Sequence, residues 1–463
     1  MMLNRLDTLA TAAGGRLLCG PPETPIKGLF SDTRAPLRGG LFVALRGDNF
    51  DGNKFAREAV EKGGAAAVMI ERPEAAQSLP KGTGAILVDD SRTGLLGIAA
   101  RHREVLTSPL WFGVTGSVGK SSTKEMLAHI LEHAGKLNVH KAKASFNNAI
   151  GLSHTILGAT AEHQAVVLEI GTNHPGEIRQ LSFSAKPNVA VLTCAAESHL
   201  EAFRTVKNVA LEKADIFAFQ NETDVAILNA DDAHFEMWKS MVRSRVITFG
   251  YSETADMRAK HVRVNAHGCG EFMARFGDEV AECHLQIAGV HQVANALAAM
   301  AAASAAGVPL VAAARALSTF TGVSRRFAIK EARGITFIDD AYNANPASFN
   351  AALETLKTFS GRRKFIVAGD MLELGLKAAD YHKELGKKFV ECEPAGVVTV
   401  GALAALAGAC AVETVQVPKW IACNRPEDAA QSLKPLLGEG DVVLVKGSHG
   451  MHLEKCLELL IAG

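Results

Sequence analysis

The sequence predicts an α/β protein of three domains, and two features of its 463 residues support this prediction. Near-continuous apolar runs alternate with helical stretches, as expected for parallel strands that are covered on both faces. Polar turns follow several of these runs, and in open sheets of this type ligands gather at the carboxyl ends of the strands. Since the length suits roughly three domains of ordinary size, we place them at residues 1–108, 109–322 and 323–463.

Composition limits the classes of protein that this chain can be. Lysine plus arginine and aspartate plus glutamate both number 49, so the formal charge of zero argues against broad binding to nucleic acid or anionic membrane. The eight cysteines are scattered and form no Cys-x-x-Cys pair, which is typical of buried thiols in a reducing compartment. With no apolar run of signal length at the start and no convincing membrane span, we expect a cytoplasmic protein without membrane insertion. We also expect a monomer.

The first domain contains polar turns that could bind part of a substrate. Its predicted strands are 41–45, 65–70 and 85–88, and its predicted helix is 56–62. Ser31, Asp32, Arg34 and Arg46 lie in turns near strand ends, where they could meet a sugar or a pyrophosphate. Ordinary loop capping would explain the same residues equally well.

A glycine-framed turn, Thr115-Gly-Ser-Val-Gly-Lys-Ser-Ser122, organises the second domain. An apolar strand ends at Thr115, and a helix begins at Ser121 and Ser122. Backbone N–H groups of such a turn can point at one anion, and the helix N-terminus adds a positive partial charge. Lys120 would neutralise phosphate charge, and the Ser121 hydroxyl can bind Mg²⁺. The turn therefore predicts a nucleoside triphosphate site, made by Thr115, Gly116, Ser117, Val118, Gly119, Lys120, Ser121 and Ser122. The alternative is an ordinary turn with a solvated lysine.

Polar residues also follow the next apolar runs of this domain. The predicted strands are 111–115, 165–170, 188–193 and 225–228. Glu169 ends the second run, where a buried and unpaired carboxylate would be costly. Because Mg²⁺ takes few protein oxygens beside phosphates and water, Glu169 and Ser121 suit a magnesium site, although a capped or salt-bridged glutamate is the alternative. His199, beyond the third run, is either a metal ligand or a satisfied loop histidine. From the residues around it, Lys213 is expected to be a solvated lysine on a helix.

The last two groups of candidate residues lie on a later helix and in the third domain. His291 and Asn295 are four residues apart and share one helix face, where they either bind a ligand or cap and pack the helix. A linker at 322–327 leads to strands predicted at 336–338, 365–368, 397–400 and 442–445, with a helix at 453–461 closing the chain. Turns at 339–346, 369–375 and 446–450 follow these strands, so they are binding loops or elaborate caps.

Three motifs together resemble the Mur ligase family. They are Thr115-Gly-Ser-Val-Gly-Lys-Ser-Ser-Thr-Lys-Glu-Met126, Asp340-Ala-Tyr-Asn-Ala-Asn-Pro346 and Gly369-Asp-Met-Leu-Glu-Leu-Gly375. The last two are typical of the members that join D-alanyl-D-alanine to a UDP-N-acetylmuramoyl-tripeptide. The resemblance covers the whole chain, and it implies a central P-loop mononucleotide-binding sheet and a Rossmann-like C-terminal domain.

The resemblance also implies roles for single residues. Lys120 would hold ATP phosphates, while Ser121, Glu169 and His199 would serve Mg²⁺ and Lys213 matches a position that is carbamylated in the family. His291, Asn295 and Tyr342 would lie near the adenine, with Arg326 and Asp340 holding phosphate and ribose. The first domain would take the UDP moiety. The implied substrate contacts are Ser31, Asp32, Arg34, Arg46, Asn147, Asn148, Asn343, Asn345 and Lys446.

The chain departs from the family pattern at several positions. Val118 replaces an asparagine, Ser121 and Ser122 replace threonines, and the stretch around His199 is looser than the Asn-x-x-x-x-His-Leu pattern. Two alternatives stay open: another amide ligase of this scaffold, such as a folylpolyglutamate synthase or a diamino-acid-adding member, and a P-loop regulatory ATPase.

Overall fold

The computed structural model describes residues 4–47, 50–143, 145–265, 267–414 and 419–462. They form a mixed α/β structure whose helices pack around three main sheets.

The first sheet has five strands. The elements of this region are α1 (Leu6–Ala12), β1 (Arg16–Cys19), β2 (Leu29–Phe30), β3 (Leu41–Val43), β4 (Arg46–Gly47), β5 (Phe50–Asp51), α2 (Ala56–Glu61), β6 (Ala67–Ile70), α3 (Pro73–Gln77), β7 (Gly84–Leu87) and α4 (Ser91–Val105). The strand order is β1-β7-β6-β3-β2, with β1 antiparallel to its neighbour and the others parallel, while β4 and β5 form a separate ribbon. Helix α4 packs on this sheet through Leu95 and Ile98 and on the next region through Leu96 and Ala99, so it joins the two.

The second sheet has nine strands. Its elements are β8 (Leu110–Thr115), α5 (Lys120–His133), β9 (Val139–Lys141), α6 (Ala149–Gly158), β10 (Ala165–Glu169), α7 (Glu177–Ala185), β11 (Val189–Leu192), α8 (Leu200–Phe203), α9 (Val206–Ala214), β12 (Val225–Asn229), α10 (Phe235–Met241), β13 (Arg245–Gly250), β14 (Met257–Val264), β15 (Cys269–Phe276), β16 (Glu279–Ala288), α11 (His291–Ser304) and α12 (Leu310–Leu317). The order is β16-β15-β14-β13-β12-β11-β8-β10-β9, parallel from β9 to β14 and antiparallel from β14 to β16. The four predicted strands are confirmed, whereas β9 and β13–β16 extend the sheet beyond the prediction.

Both faces of the central parallel strands of the second sheet are buried, which explains why these strands are apolar. Phe112 and Val114 of β8 pack with α5, α11 and α12 on one face, and Trp111 packs with α6 and α7 on the other. The alanine-rich segment that comes closest to a membrane span in the sequence is two core helices, α11 and α12. Within the described ranges, no helix combines the length and the apolar character needed to cross a bilayer.

The third sheet has six strands. Its elements are β17 (Ala328–Ala332), β18 (Ile335–Asp340), α13 (Pro346–Lys357), β19 (Lys364–Gly369), α14 (Ala378–Val390), β20 (Gly396–Val400), α15 (Ala402–Thr414), β21 (Trp420–Cys423), α16 (Pro426–Leu433), β22 (Val442–Lys446) and α17 (Glu454–Ala462). The order is β17-β18-β22-β19-β20-β21, with β17 antiparallel. The four predicted strands are confirmed, and the edge strands β17 and β21 are additional.

Candidate active site

A cleft of about 520 Å³ lies where the carboxyl ends of the second and third sheets face each other. Its walls are the loops after β8, β9, β10 and β11, the start of α11, the linker before β17, and the loops after β18, β19 and β22. Side chains that are far apart in the sequence thereby meet in one place, as the carboxyl-edge rule predicts.

The glycine-framed turn after β8 forms one wall of this cleft. Gly119 has a φ of +87° and stands directly against the Asn295 carboxamide, so a Cβ there would clash. The helix begins at Lys120, one residue before the predicted start, because the left-handed Gly119 ends the turn. Lys120 Nζ donates to the Gly116 carbonyl at 2.7 Å, and burial lowers the pKa of this lysine. The turn therefore places a cation above the N-terminus of α5.

Glu169, at the end of β10, is the centre of a buried polar cluster. Ser121 Oγ donates to Oε2 at 2.5 Å and Asn147 Nδ2 donates to Oε1 at 2.9 Å. Lys124 Nζ lies 3.9 Å from Oε2 and 2.8 Å from Glu125 Oε1, and its side chain is fully buried. The carboxylate is thus charge-balanced and lines the cleft, as the cost of burying an unpaired acid requires.

Lys213, on α9, is buried and lies close enough to Lys120 for the two charges to interact. Burial and, second, the charge of Lys120 lower its pKa to about 7. Of its neighbours, Cys194 and Glu212 act in the opposite direction, but Glu212 is engaged elsewhere because it accepts from the N–H groups of Gly176 and Ile178. Contrary to the default reading from sequence, Lys213 is therefore a buried lysine with a large neutral fraction near neutral pH.

His291 and Asn295 meet the turn from the start of α11. Asn295 Nδ2 donates to Gln292 Oε1 at 2.9 Å. His291 Nδ1 is buried and has no hydrogen-bonding partner among the described residues. Burial, helped by the charge of Lys446, lowers the pKa of His291 to about 4. A neutral imidazole with an unpaired ring nitrogen suits a polar ligand edge at this end of the cleft.

The linker and the loop after β18 bring Arg326, Tyr342 and Asp340 to the same cleft. The Arg326 guanidinium lies 4.1 Å from the centre of the Tyr342 ring and donates to Ser145 Oγ at 3.0 Å. Asp340 accepts from the Phe327 N–H at 3.1 Å and from Lys446 Nζ at 2.6 Å. Arg326 is thereby fixed between the second and third sheets.

Several predicted substrate-binding residues make local hydrogen bonds as well as lining the cleft. Asn148 caps α6 and Asn345 caps α13 in a capping box with Ser348. Lys446 is 1% exposed and donates to Asp340 and to the Asn343 carbonyl. These contacts hold the loops in shape.

His199 and Glu373 join the two walls of the cleft. His199 Nδ1 lies 2.5 Å from Glu373 Oε2, and this bond lowers the pKa of the Glu373 carboxyl. The Glu201 N–H donates to the Glu373 carbonyl at 3.1 Å. Sequence reasoning singled out the 369–375 turn but not Glu373 itself, and it also missed Lys124 and Gln292.

The structure does not bring the first-sheet candidates to this cleft. Asp32 pairs with Arg34 at 2.7 Å, which lowers the pKa of Asp32 to about 2. Arg46 pairs with Glu71 at 3.2 Å. Neither these residues nor Ser31 lines the cleft, so the four lie on a separate surface of the first sheet region.

Within the described ranges, no three His, Cys, Asp or Glu side chains are arranged to hold a metal ion. The oxygens of Glu169 and Ser121, which meet at 2.5 Å, nevertheless fit a hard cation that takes most of its ligands from phosphate and water.

Known proteins resemble this chain along nearly its whole length. Family models of the Mur ligase middle domain and of the Mur ligase glutamate ligase domain match residues 114–303 and 325–449. The UDP-N-acetylmuramoyl-tripeptide–D-alanyl-D-alanine ligase of Bacillus subtilis is 33% identical over 95% of this chain and 94% of the relative. That of Escherichia coli is 34% identical over 93% and 92%. Among solved structures, MurF from Acinetobacter baumannii has a TM-score of 0.89 at 28% identity and 99% coverage of both chains. MurF from Thermotoga maritima in complex with ADP has a TM-score of 0.83 at 28% identity, covering 94% of this chain and 97% of that one.

Proposed function

The chain belongs to the Mur ligase family, and we infer that it joins D-alanyl-D-alanine to a UDP-N-acetylmuramoyl-tripeptide in an ATP-dependent reaction of peptidoglycan precursor synthesis. The observation that carries this function is the match of nearly the entire chain to relatives of that activity. The cleft between the second and third sheets, with cationic and carboxylate groups side by side, supports it.

The reaction needs an activated carboxyl group, because a carboxylate is a poor electrophile. Its oxygen takes the γ-phosphoryl group of ATP, which gives an acyl phosphate and ADP. The amine of D-alanyl-D-alanine then attacks the carbonyl carbon, phosphate leaves, and the nitrogen loses a proton. Two anions meet in the first step, so cationic side chains in a water-poor cleft lower its barrier. Lys120 and Arg326 supply such charges from opposite walls.

The phosphate site is a short P-loop in a mononucleotide-binding sheet. The backbone of Thr115–Ser122 and the N-terminus of α5 would cradle phosphate oxygens, with Lys120 turning from the Gly116 carbonyl to a phosphate. His291, Asn295 and Tyr342 would bind the adenine, and Arg326 and Asp340 would hold phosphate and ribose.

Magnesium would be held by Ser121, Glu169 and His199, with Lys213 as a carbamate. When bound, the cation would offset the charge of the phosphates. The pKa of about 7 supports the carbamate, because only a neutral amine reacts with CO₂.

The three regions would divide the substrates among them. The domain 1–108 would take the UDP moiety through Ser31, Asp32, Arg34 and Arg46, and Asn147 and Asn148 of the central domain 109–322 would face the muramyl peptide. The Rossmann-like domain 323–463 would take the dipeptide near Asn343, Asn345 and Lys446. Closure of this domain over ATP at 322–326 would protect the acyl phosphate from water.

Phosphate release tests the function directly. The purified enzyme should release phosphate only when ATP, a UDP-muramyl-tripeptide and D-alanyl-D-alanine are present together, with one ligated peptide formed per phosphate. Other amines, including glutamate and diamino acids, serve as matched controls. Release without an amine would instead indicate a regulatory ATPase, and preference for another amine would indicate a different ligase of this scaffold.

A further inference from the structure

The contact between His199 and Glu373 joins residues that are 174 positions apart, one from each wall of the cleft. His199 precedes α8 in the second sheet region, and Glu373 lies in the loop after β19 of the third. Both line the cleft. Their pairing uses Nδ1 of the imidazole, and Nε2 has no hydrogen-bonding partner within the part of the chain that the structure describes.

The loop that carries Glu373 is fixed by hydrogen bonds at the three residues before it. Asp370 Oδ1 accepts from the Ala404 N–H at 2.6 Å, the Met371 N–H donates to His382 Nε2 at 2.9 Å, and the Leu372 N–H donates to Ser448 Oγ at 2.8 Å. Glu373 follows with a φ of +63°, in the left-handed region. Non-glycine residues adopt this conformation rarely and at a cost, so the surrounding bonds must hold it.

The histidine side of the contact is held as well. His199 has a φ of +52°, and its carbonyl accepts the N–H groups of Ala202 and Phe203 at the start of α8. Leu200 and Phe203 pack against Tyr381 of α14, so the apolar side of α8 also touches the third sheet region. His199 and Glu373, which both have a left-handed backbone conformation, therefore meet on two segments that are each held in place by other contacts.

We propose that Glu373 is a positioning residue, which binds Nδ1–H of His199 and thereby turns the Nε2 lone pair into the cleft, where a divalent cation and the ATP phosphates would bind. Metal-binding histidines usually donate their other ring N–H to a carboxylate or carbonyl, which fixes the tautomer and the ring orientation. Here the carboxylate comes from the other wall, so the cation site is complete only when the two walls are in contact. This proposal rests on the proposed function, because that function supplies the cation and the nucleotide.

The tautomer of His199 is the first test, and it needs neither metal nor turnover. In ligand-free protein labelled with ¹⁵N-histidine, we expect the neutral His199 ring to give the signals of a single Nδ1–H tautomer. The His199→Gln variant assigns these signals by their loss. Glu373→Ala should spread the proton over both nitrogens. Glu201→Ala is the matched control, since it removes an exposed glutamate beside the same contact and should leave the tautomer unchanged.

Magnesium dependence is the second test. The Mg²⁺ concentration that half-saturates ADP binding, measured by calorimetry without turnover, should rise about 10- to 100-fold in Glu373→Ala. It should rise less in Glu373→Gln, which keeps an acceptor oxygen, and should not change in Glu201→Ala. Because the Glu373 side chain is 52% exposed, we expect these variants to fold.

The proposal would be overturned if Glu373→Ala kept the wild-type tautomer and the wild-type magnesium dependence. It would also be overturned if Glu201→Ala changed the tautomer and the magnesium dependence as much as Glu373→Ala does. A wild-type enzyme that fails to ligate D-alanyl-D-alanine would contradict the proposed function instead. The tautomer measurement does not depend on ligation, so the two failures are distinguishable.

Discussion

Replacing Lys213 tests whether this buried amine becomes a carbamate. At about pH 8, a lysine with the pKa of about 7 found here is about 90% neutral, whereas an ordinary lysine is about 0.3% neutral. The neutral fraction is thus raised about 300-fold. The neutral amine adds to CO₂ and loses a proton, which gives a carbamate, and the negative charge formed would lie close to Lys120. We therefore expect Lys213 to be carbamylated in bicarbonate buffer.

Lys213→Ala should lower the ligation rate on the order of 100-fold, because a charged group of the site is removed. Formate or acetate should restore part of the activity. Lys207→Ala removes an exposed lysine from the same helix and should keep the full rate. With ¹³C-bicarbonate, the wild-type protein should show a carbamate carbon resonance that Lys213→Ala lacks. Full activity in Lys213→Ala, or the same resonance in both proteins, would refute the reasoning.

Three further predictions follow from the cleft. Lys120→Met should lower ligation, measured by phosphate release, by about 100-fold or more, and an undiminished rate would contradict the phosphate site. Gly119→Ala should raise the KM for ATP, whereas Gly82→Ala, with a similar φ of +86° but open space around it, should lose only stability. For His291, the folded pKa of about 4 lies below the ordinary value of 6.5. The histidine therefore destabilises the fold as pH falls from about 6.5 towards 4, by up to about 3 kcal/mol. The Tm of His291→Gln should fall less over this range than that of the exposed-site control His267→Gln, and equal slopes would contradict the buried neutral histidine.

The sequence predicted those strands whose burial leaves a local signal. Strands β8, β10, β11 and β12 are covered on both faces, so each is a continuous apolar run. The turn after β8 was recognisable because its glycines, lysine and serines stand between a strand and a helix. The close contact between Gly119 and the Asn295 side chain was not predictable from the turn, because Asn295 lies far along the chain.

The antiparallel end of the second sheet was missed although a signal existed. Residues 281–287 alternate in the sequence between apolar and polar positions, and this part of β16 shows the same alternation of buried and exposed side chains. This is the pattern of a strand with one solvated face. Such a strand has no continuous apolar run, which is the signal that predicts a strand covered on both faces.

The contacts of the candidate site could not be predicted from local patterns. Glu373 and His199 meet only because β19 and β11 end at facing edges of two sheets, and no spacing in the sequence encodes that meeting. Lys213 shows the same limit, since a lysine on an amphipathic helix is usually solvated. Its burial comes from tertiary packing, which the sequence of α9 does not show.

The motif residues divide into two groups that only the structure separates. Asp370 and Asn345 use their side-chain oxygens to hold backbone N–H groups of their own region, at the starts of α15 and α13. Arg326 and Glu373 instead cross between the two sheets. An amide or a carboxylate can do either, so composition cannot assign the roles. The first group fixes the loops. The side chains of the second group therefore lose little conformational freedom when a ligand binds. Substitutions in the first group should therefore weaken the site through loop order, and those in the second through direct contact with the opposite wall.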